Sequence, residues 1–315
     1  MSLRFLAPPH YRLHRTFGTY RMGPGDRTLR LERGRLQAAL HTPEGPASFE
    51  AEQGSDSIRV QLWGDGADWL RLHMEALLGL CDDPTGFSPR DPSFRSVWKR
   101  TLGIHLPTLP VLFPRLVQVV LLQLVTTGEG QRAWGRIVRD LGSLAPGPTG
   151  LRLPPRSVDI AGAPWVRYVA DGVPHKQART LVRCARTTAA LEASGTWGGE
   201  EALQAVAALP GIGPWSVGYL RGTAMGDPDA VITGDFHLPH SAAWILAGRE
   251  RGTDEEMLDL LEPYRGHRFR VIRALWASGI RAPRRGPKRG LRPLPGSPGR
   301  ATPGRRSNPA SPWLG

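Results

Sequence analysis

The chain has 315 residues, of which 40% are hydrophobic and 10 are Trp, a composition that is typical of a globular protein and excludes a disordered one. No apolar run reaches the roughly 20 residues that a membrane span needs, and the N-terminus lacks the apolar core of a signal peptide. We therefore expect a cytoplasmic protein that does not enter a membrane.

The net charge of +13 is concentrated at the C-terminus, because nine basic residues and no acidic ones lie in residues 281–315. The same stretch is rich in Pro and Gly, which predicts a disordered tail that adds sequence-independent attraction to phosphates. A spacer without a task is the alternative interpretation.

Only two cysteines occur, Cys81 and Cys184, and we expect both to be free thiols. A four-cysteine iron–sulfur cluster and a cysteine-based zinc site are therefore excluded.

The N-terminal part of the chain has the pattern of short strands. Partly alternating apolar segments are separated by clusters of Gly, Pro and Asp, which predicts an antiparallel sheet with hairpins. The predicted strands cover residues 15–22, 28–32, 35–41, 47–52 and 57–63.

From residue 65 onward the apolar residues follow the period of a helix. The first helix has one predicted face formed by Trp69, Leu72, His73, Ala76, Leu77 and Leu80. A Pro/Gly-rich segment, 142–156, is predicted to link two lobes. The other predicted helices cover 94–102, 114–124, 129–142, 161–170, 175–193, 200–208, 214–225, 241–247, 255–261 and 269–278.

Four basic residues recur near helical spacing in the helix 175–193 and form a basic face: Lys176, Arg179, Arg183 and Arg186. Such a face either contacts phosphates or is merely solvated, and the sequence leaves both interpretations open.

A tight turn separates the helices 200–208 and 214–225. Pro210, Gly211 and Gly213 prevent one continuous helix, whereas Pro214 suits the first turn of the second. The unpaired N–H groups at the start of that helix favour an anion such as a phosphate. A plain helix–helix corner is the alternative.

The turn 209–215 (LPGIGPW) and the later segment 231–237 (VITGDFH) together resemble the helix-hairpin-helix DNA glycosylase superfamily. An Asp follows at position 235, 22 residues after Gly213. The resemblance covers about residues 116–277 and is nearest to the 3-methyladenine DNA glycosylase II branch.

The resemblance implies an α+β fold that is mostly helical and two-lobed, with an N-terminal antiparallel β subdomain. The expected domains are residues 1–100 for that subdomain with a flanking helix, 101–280 for the helical glycosylase domain, and 281–315 for the basic tail. The implied partner is double-stranded DNA in base excision repair, and we expect a monomer.

Asp235 is the candidate catalytic residue. Hydrolysis of the bond between C1′ and the base passes through an oxocarbenium-like state, which a carboxylate stabilises while it orients or activates water. Asp227 and Asp229 are alternatives, although their setting suggests a solvent-exposed turn. Asp235 is also suited to cap the following helix, a role compatible with catalysis.

Trp215 stands where the resembling enzymes that also cut the DNA backbone have a Lys. A Trp does not form a Schiff base with C1′. The sequence therefore predicts a monofunctional enzyme without lyase activity, which leaves an abasic site.

The resemblance also implies an aromatic pocket for the flipped base, formed by Trp215, Tyr219, Phe236 and Trp276. Aromatic rings attract a cationic base such as 3-methyladenine, so an alkylated purine is the expected substrate. Packing in a core is the alternative for Tyr219 and Trp276.

Contacts to DNA follow from the same resemblance. Leu124 is expected to be the wedge that fills the gap left by the flipped nucleotide, with Gln123 beside it, and a position in the core is the alternative for Leu124. The other implied contacts are Leu209, Gly211, Ile212, Gly213, Lys176 and His237.

No cofactor is required by this resemblance. It implies a monovalent cation, Na⁺ or K⁺, held by the backbone carbonyls of Leu209, Gly211 and Ile212. A zinc site at His237 and His240 is rejected, because no acidic or Cys partner is evident.

Two other functions stay open. One is a glycosylase for deaminated bases, and the other is a helix-hairpin-helix module that binds DNA without chemistry. Asp235 distinguishes them, since a module that only binds DNA has no use for the carboxylate. The preferred base and the role of the tail are also open.

Overall fold

The computed structural model describes residues 1–283, so that most of the predicted basic tail lies outside the described residues. The five strands are β1 (Ser2–Leu6), β2 (Leu29–Glu32), β3 (Arg35–Thr42), β4 (Gly45–Gln53) and β5 (Ser57–Trp63). The helices are α1 (Leu13–Thr16), α2 (Ala67–Leu77), α3 (Pro92–Thr101), α4 (Phe113–Leu122), α5 (Thr127–Leu141), α6 (Ser157–Ala161), α7 (Val166–Ala170), α8 (His175–Ala193), α9 (Gly199–Ala207), α10 (Pro214–Ala224), α11 (Leu238–Ala247), α12 (Asp254–Leu261) and α13 (Arg268–Ser278). The predicted α+β class is confirmed.

The N-terminal sheet is antiparallel throughout, with the strand order β1-β5-β4-β3-β2. Strands β3 and β4 form a tight hairpin in which Thr42 pairs with Gly45. One face of the sheet is buried, because alternate residues of β4 and β5 such as Phe49, Val60 and Leu62 point inward.

The prediction for residues 15–22 was wrong. These residues form the end of α1 and a turn, while the fifth strand is Ser2–Leu6, paired with β5. Leu13, Phe17 and Tyr20 are buried at spacings of four and three, which is a helical period and not a strand period. They cover the sheet instead of extending it.

The predicted helix α2 exists, but its buried face is different. Leu70, Met74 and Leu77 point into the core, whereas Leu72 is 68% exposed. Trp69 is only partly buried at the edge of that core and stacks on His73 with a centroid distance of 3.9 Å. The sequence of α2 allows two apolar faces, and the packing of the helix against β4 and β5 decides which of them is buried.

The helices form two clusters around separate cores. We call the core that includes Val120, Leu181 and Leu220 the hairpin core, because α4, α5, α8, α9 and α10 contribute to it. The C-terminal core includes Phe94 and Phe269 and is formed by α3, α11, α12 and α13. Two lobes are therefore present, but their boundary is not at 142–156, because the hairpin core contains helices from both sides of that segment.

Most predicted helix boundaries agree with the structure within three residues, and α8 agrees throughout. The predicted helix 161–170 is interrupted, because α6 ends at Ala161 and α7 begins only at Val166. Pro164 lies between the two helices, and the residue before a proline avoids the helical region. No helix in the described part of the chain is both long and apolar enough to cross a membrane.

The prediction that the segment 142–156 links two lobes was wrong: it runs from α5 to α6, which both contribute to the hairpin core, and it packs against the sheet. Leu151 and Leu153 pack with Ala39 of the sheet, and the Ser48 hydroxyl donates to the Pro146 carbonyl at 2.5 Å.

Helix α3 falls within the predicted first domain by sequence, yet Phe94 and Val97 pack in the C-terminal core.

A buried ion pair ties the loop between α2 and α3 to the C-terminal core. Arg270 donates two hydrogen bonds of 2.8 Å to the Asp82 carboxylate, and both side chains are almost fully buried. Burial by itself would raise the pKa of Asp82, but Arg270 and the nearby His105 outweigh it and lower the pKa to about 2.

We expect Arg270→Met to lower the free energy of unfolding by about 3–5 kcal/mol, because it leaves a buried carboxylate without a partner. Urea denaturation at neutral pH measures this loss. Arg265→Met is the matched control, since its pair with Glu262 is exposed and is worth less than about 1 kcal/mol. Equal losses of unfolding free energy in the two variants would contradict the assignment of Arg270 and Asp82 as a buried pair that stabilises the fold.

The same pair predicts the acid sensitivity of the fold. Because the pKa of Asp82 is lowered from 3.8 to about 2, its stabilisation of about 2 kcal/mol is present above pH 4. It is lost as the pH falls through 2. Unfolding measured at pH 4 and pH 2 should show this loss in the wild type, whereas Asp82→Asn should lack this component.

Candidate DNA-binding and catalytic site

The hairpin between α9 and α10 has the geometry that its sequence predicts. Gly211 has a φ of +99°, which a side chain disfavours, and a Cβ there would collide with the Thr180 hydroxyl of α8. Gly213 precedes Pro214 and has open space where its Cβ would be. Gly213 and Pro214 are both exposed, so the surface in front of the first turn of α10 is open to an anion.

The Gln123 side chain holds the hairpin against the end of α4. Its amide nitrogen donates to the Gly211 carbonyl at 2.9 Å and to the Ser216 hydroxyl at 2.8 Å. Gln177 of α8 in turn donates to the Gln123 carbonyl at 2.7 Å. Gln123 thus contacts the hairpin directly, and its contact with DNA stays a prediction.

Leu124 follows Gln123 and points away from the protein. Its side chain is 81% exposed, and its φ is +53°, the left-handed region that a leucine rarely adopts. A strained backbone and an exposed apolar side chain both cost free energy, and strained residues of this kind cluster at functional sites. This geometry is what a wedge requires.

The Asp235 carboxylate is fixed at both oxygens. Oδ1 accepts the N–H groups of His237 and Leu238, each at 2.8 Å, and Oδ2 accepts the Trp215 indole N–H at 3.0 Å. The carboxylate therefore caps the start of α11 and is also held beside the hairpin helix α10. The capping role that the sequence suggested is present.

Three of the four predicted pocket rings form one stack. The ring centroids of Trp215 and Tyr219 lie 5.2 Å apart, and those of Tyr219 and Trp276 lie 5.4 Å apart. All three rings are partly buried. Trp215 and Tyr219 contact both the hairpin core and the C-terminal core, so the stack lies in the cleft between the two helical clusters.

Phe236 does not belong to this stack. It is 78% exposed and packs edge-on against His237, with ring centroids 4.9 Å apart. It lies next to Asp235 in the chain, at the mouth of the site. A contact between Phe236 and a flipped base, like a DNA contact of His237, stays a prediction.

Two buried arginines behind the stack were missed from the sequence. The Arg115 guanidinium lies 5.2 Å from the centroid of the Tyr219 ring, and Arg273 of α13 is equally buried nearby. Burial lowers the pKa of Arg273, and the charge of Arg115 lowers it further. Arg115 stands one residue before a run of buried apolar residues in α4, a signal that sequence reasoning overlooked.

Asp254 lies in the first turn of α12. Its carboxylate accepts the Gly234 N–H at 2.6 Å, directly before Asp235. It therefore supports the loop that carries the catalytic candidate. Asp229, an alternative candidate, is instead paired with Arg268.

The basic face of α8 is exposed beside the hairpin. Within residues 1–283, none of Lys176, Arg179, Arg183 and Arg186 forms an ion pair with an acidic side chain, whereas Arg156, Arg221 and Arg249 do. Arg183 donates to the Pro210 carbonyl at 2.6 Å. The face is therefore continuous with the hairpin surface.

The carbonyls predicted to hold a cation partly serve the hairpin itself. Gly211 accepts Gln123, and Leu209 accepts the Ile212 N–H at 3.0 Å. Each oxygen has a second lone pair, so these residues fit a monovalent cation. In the described part of the chain, no three His, Cys, Asp or Glu residues are grouped as metal ligands.

Solved structures with the same fold are DNA glycosylases. The 3-methyladenine DNA glycosylase from Archaeoglobus fulgidus is similar with a TM-score of 0.72 and 17% identity, over 88% of this chain and 98% of that one. The 8-oxoguanine glycosylase/lyase from Clostridium acetobutylicum gives a TM-score of 0.67 and 12% identity, over 88% and 96%. MBOgg1, solved with a low affinity DNA ligand, gives 0.69 and 13%, over 88% and 95%.

No family model and no curated protein sequence matches the chain. The structural likeness establishes the fold: this chain has the helix-hairpin-helix DNA glycosylase fold, as the LPGIGPW turn and Asp235 predicted. The fold is shared by glycosylases for different bases, so it does not choose among them.

We expect Trp215→Phe to slow base release roughly tenfold to a hundredfold, because the ring remains but Asp235 loses a hydrogen bond to its charged oxygen. DNA binding should change less than about twofold. Single-turnover kinetics and a binding titration measure both. Trp244→Phe in α11 is the control for the same substitution, and a Trp215→Phe rate equal to the wild type would contradict the role of the bond.

We expect Leu124→Gly to reduce base release at least about tenfold while the fold keeps its stability, since glycine removes the wedge and relieves the positive φ. Leu72→Gly is the contrasting control: it replaces an exposed leucine inside a helix, which costs about 1 kcal/mol and should leave activity unchanged. Urea unfolding and base-release assays on both variants test this pair of outcomes. A fully active Leu124→Gly would remove the wedge assignment.

Proposed function

We propose that this protein is a monofunctional DNA glycosylase of base excision repair. The observation that carries the proposal is the bond between Asp235 and Trp215, which places a fixed carboxylate beside an aromatic stack in the cleft next to the hairpin. A protein that only binds DNA has no need for such a carboxylate. The fold supports the same conclusion.

In the proposed reaction the hairpin and α8 bind the DNA backbone. The N–H groups that open α10 would donate hydrogen bonds to a phosphate, and a monovalent cation at the carbonyls of Leu209, Gly211 and Ile212 would add positive charge there. Lys176 and the rest of the basic face would extend this contact along the strand. Leu124 would enter the base stack and stabilise the flipped state.

Asp235 then acts at C1′ of the flipped nucleotide. As the bond to the base breaks, the sugar gains positive charge, which the carboxylate stabilises. The carboxylate also accepts a proton from the attacking water, so the products are an abasic site and a free base. Trp215 offers no amine, which supports hydrolysis without strand cleavage.

Two classes of base fit a site with aromatic walls. The stack of Trp215, Tyr219 and Trp276 supports a cationic alkylated purine of the 3-methyladenine type, which the sequence resemblance implies. A neutral base, such as a deaminated purine, is the second candidate, because the Arg115 guanidinium already occupies the vicinity of the Tyr219 ring.

The test is base release from duplexes that carry one 7-methylguanine or one hypoxanthine, detected as alkali-labile abasic sites. We expect the wild type to release a base, and Asp235→Asn to be slower by at least about a hundredfold with DNA affinity retained. Without alkali, the strand should stay intact.

Asp227→Asn is the matched control, because Asp227 precedes the site in the same loop and its carboxylate accepts the Asp229 N–H instead. It should behave as the wild type. DNA binding without base release from any duplex would replace the proposal by a non-catalytic DNA-binding module. Strand cleavage without alkali would refute the monofunctional assignment.

A further inference from the structure

Arg115 is a buried cation that faces only neutral partners. It is 2% exposed, and it donates to the Thr223 hydroxyl at 3.0 Å, the Gln118 side-chain carbonyl at 2.9 Å and the Thr19 backbone carbonyl at 3.1 Å. None of these groups carries a negative charge. The positive charge of the guanidinium therefore has no counter-charge among its hydrogen-bond partners.

Arg273 adds a second charge to the same region. It is also 2% exposed, and its guanidinium donates to the Thr16 carbonyl at 2.8 Å, the Arg15 carbonyl at 3.3 Å and the Thr19 hydroxyl. Within residues 1–283 neither it nor Arg115 forms an ion pair with an acidic side chain, in contrast to Arg270, which Asp82 neutralises.

A tyrosine near the two guanidiniums does not supply the missing negative charge. Tyr20 is buried, with the Arg115 guanidinium 4.8 Å from its ring centroid. Burial raises the pKa of its hydroxyl, so the phenol is neutral at physiological pH. The region behind the aromatic stack therefore carries two uncompensated positive charges.

The positive charge of Arg115 acts on the proposed base pocket through its contact with the Tyr219 ring. The Arg115 guanidinium lies 5.2 Å from the Tyr219 centroid, and Tyr219 stands between Trp215 and Trp276 in the stack. The electrons of the Tyr219 ring are already attracted to a cation that belongs to the protein. A second cation, on a bound base, would be repelled by the first.

We propose that Arg115 and Arg273 are specificity-determining residues that make the pocket select neutral damaged bases over cationic alkylated ones. This inference rests on the proposed glycosylase function and names its substrate class. It reverses the preference that aromatic rings alone would predict.

The reason lies in where the electrons go. When the C1′–N bond breaks, its electron pair leaves with the base: a neutral base becomes an anion, whereas a cationic base becomes neutral. Water adds to C1′ and loses a proton by way of Asp235 and solvent: when the base is neutral, this proton ends on the departing anion, and when the base is cationic, it stays in solvent. Two nearby guanidiniums stabilise the anion as it forms and disfavour a cation as it binds.

The effect should be large enough to measure. We take one charge on a guanidinium and one on the base, roughly 8 Å apart at an effective dielectric constant of about 20. Their interaction changes the rate for a neutral base relative to that for a cationic base by about tenfold or more. The experiment compares hypoxanthine with 7-methylguanine, each opposite cytosine in one duplex sequence. Single-turnover release by the full-length protein is divided by the spontaneous loss of the same base.

We expect a larger rate enhancement for hypoxanthine than for 7-methylguanine in the wild type. Arg115→Met should lower the ratio of the two enhancements about tenfold, whereas Arg115→Lys, which keeps the charge, should restore it. Gln118→Met is the matched control, since it removes a hydrogen-bond partner of Arg115 without changing the charge. Its ratio should equal that of the wild type.

A greater enhancement for 7-methylguanine in the wild type, or an unchanged ratio in Arg115→Met, would overturn the inference. If thermal unfolding shows that Arg115→Met does not fold, Arg273→Met provides the same test, and the wild-type comparison stands without either variant. DNA binding without release of either base would instead overturn the proposed function, and the inference with it.

Discussion

The two hydrogen bonds from the Gln123 amide organise the site. They join the end of α4 to the Gly211 carbonyl and to Ser216 of α10, so two distant segments of the chain meet at one side chain. Gly211 completes the junction, because only a glycine permits its φ and its approach to Thr180. The accessible N–H groups of α10 and the exposed Leu124 both depend on this arrangement.

Asp235 shows how one set of bonds serves structure and chemistry together. The two N–H groups that it accepts begin α11, and the indole N–H of Trp215 binds its other oxygen. Because a helix cap and a neighbouring ring orient the carboxylate, little reorganisation is needed when charge develops at a substrate. The interpretations of Asp235 as a cap and as a catalytic residue are therefore complementary.

The buried arginines differ in a way that separates stability from function. Arg270 meets a carboxylate and joins two parts of the fold, whereas Arg115 and Arg273 are held only by neutral oxygens and aromatic rings. Desolvating a cation without a counter-charge is unfavourable. Because the two guanidiniums lie behind Tyr219, their uncompensated charge contributes to the choice of base in the inference above.

The sequence by itself determined most of the helices and the hairpin, because helical period and Gly/Pro turns act between residues close in the chain, and its resemblance to glycosylases supplied the candidate carboxylate. Only the tertiary structure decided which face of α2 is buried, that residues 15–22 cover the sheet, and that Leu124 points outward while Phe236 stays apart from the stack. It also brought Arg115, Tyr219 and Trp276 together. Such contacts join residues far apart in sequence, and local preferences carry no information about which distant surface completes them.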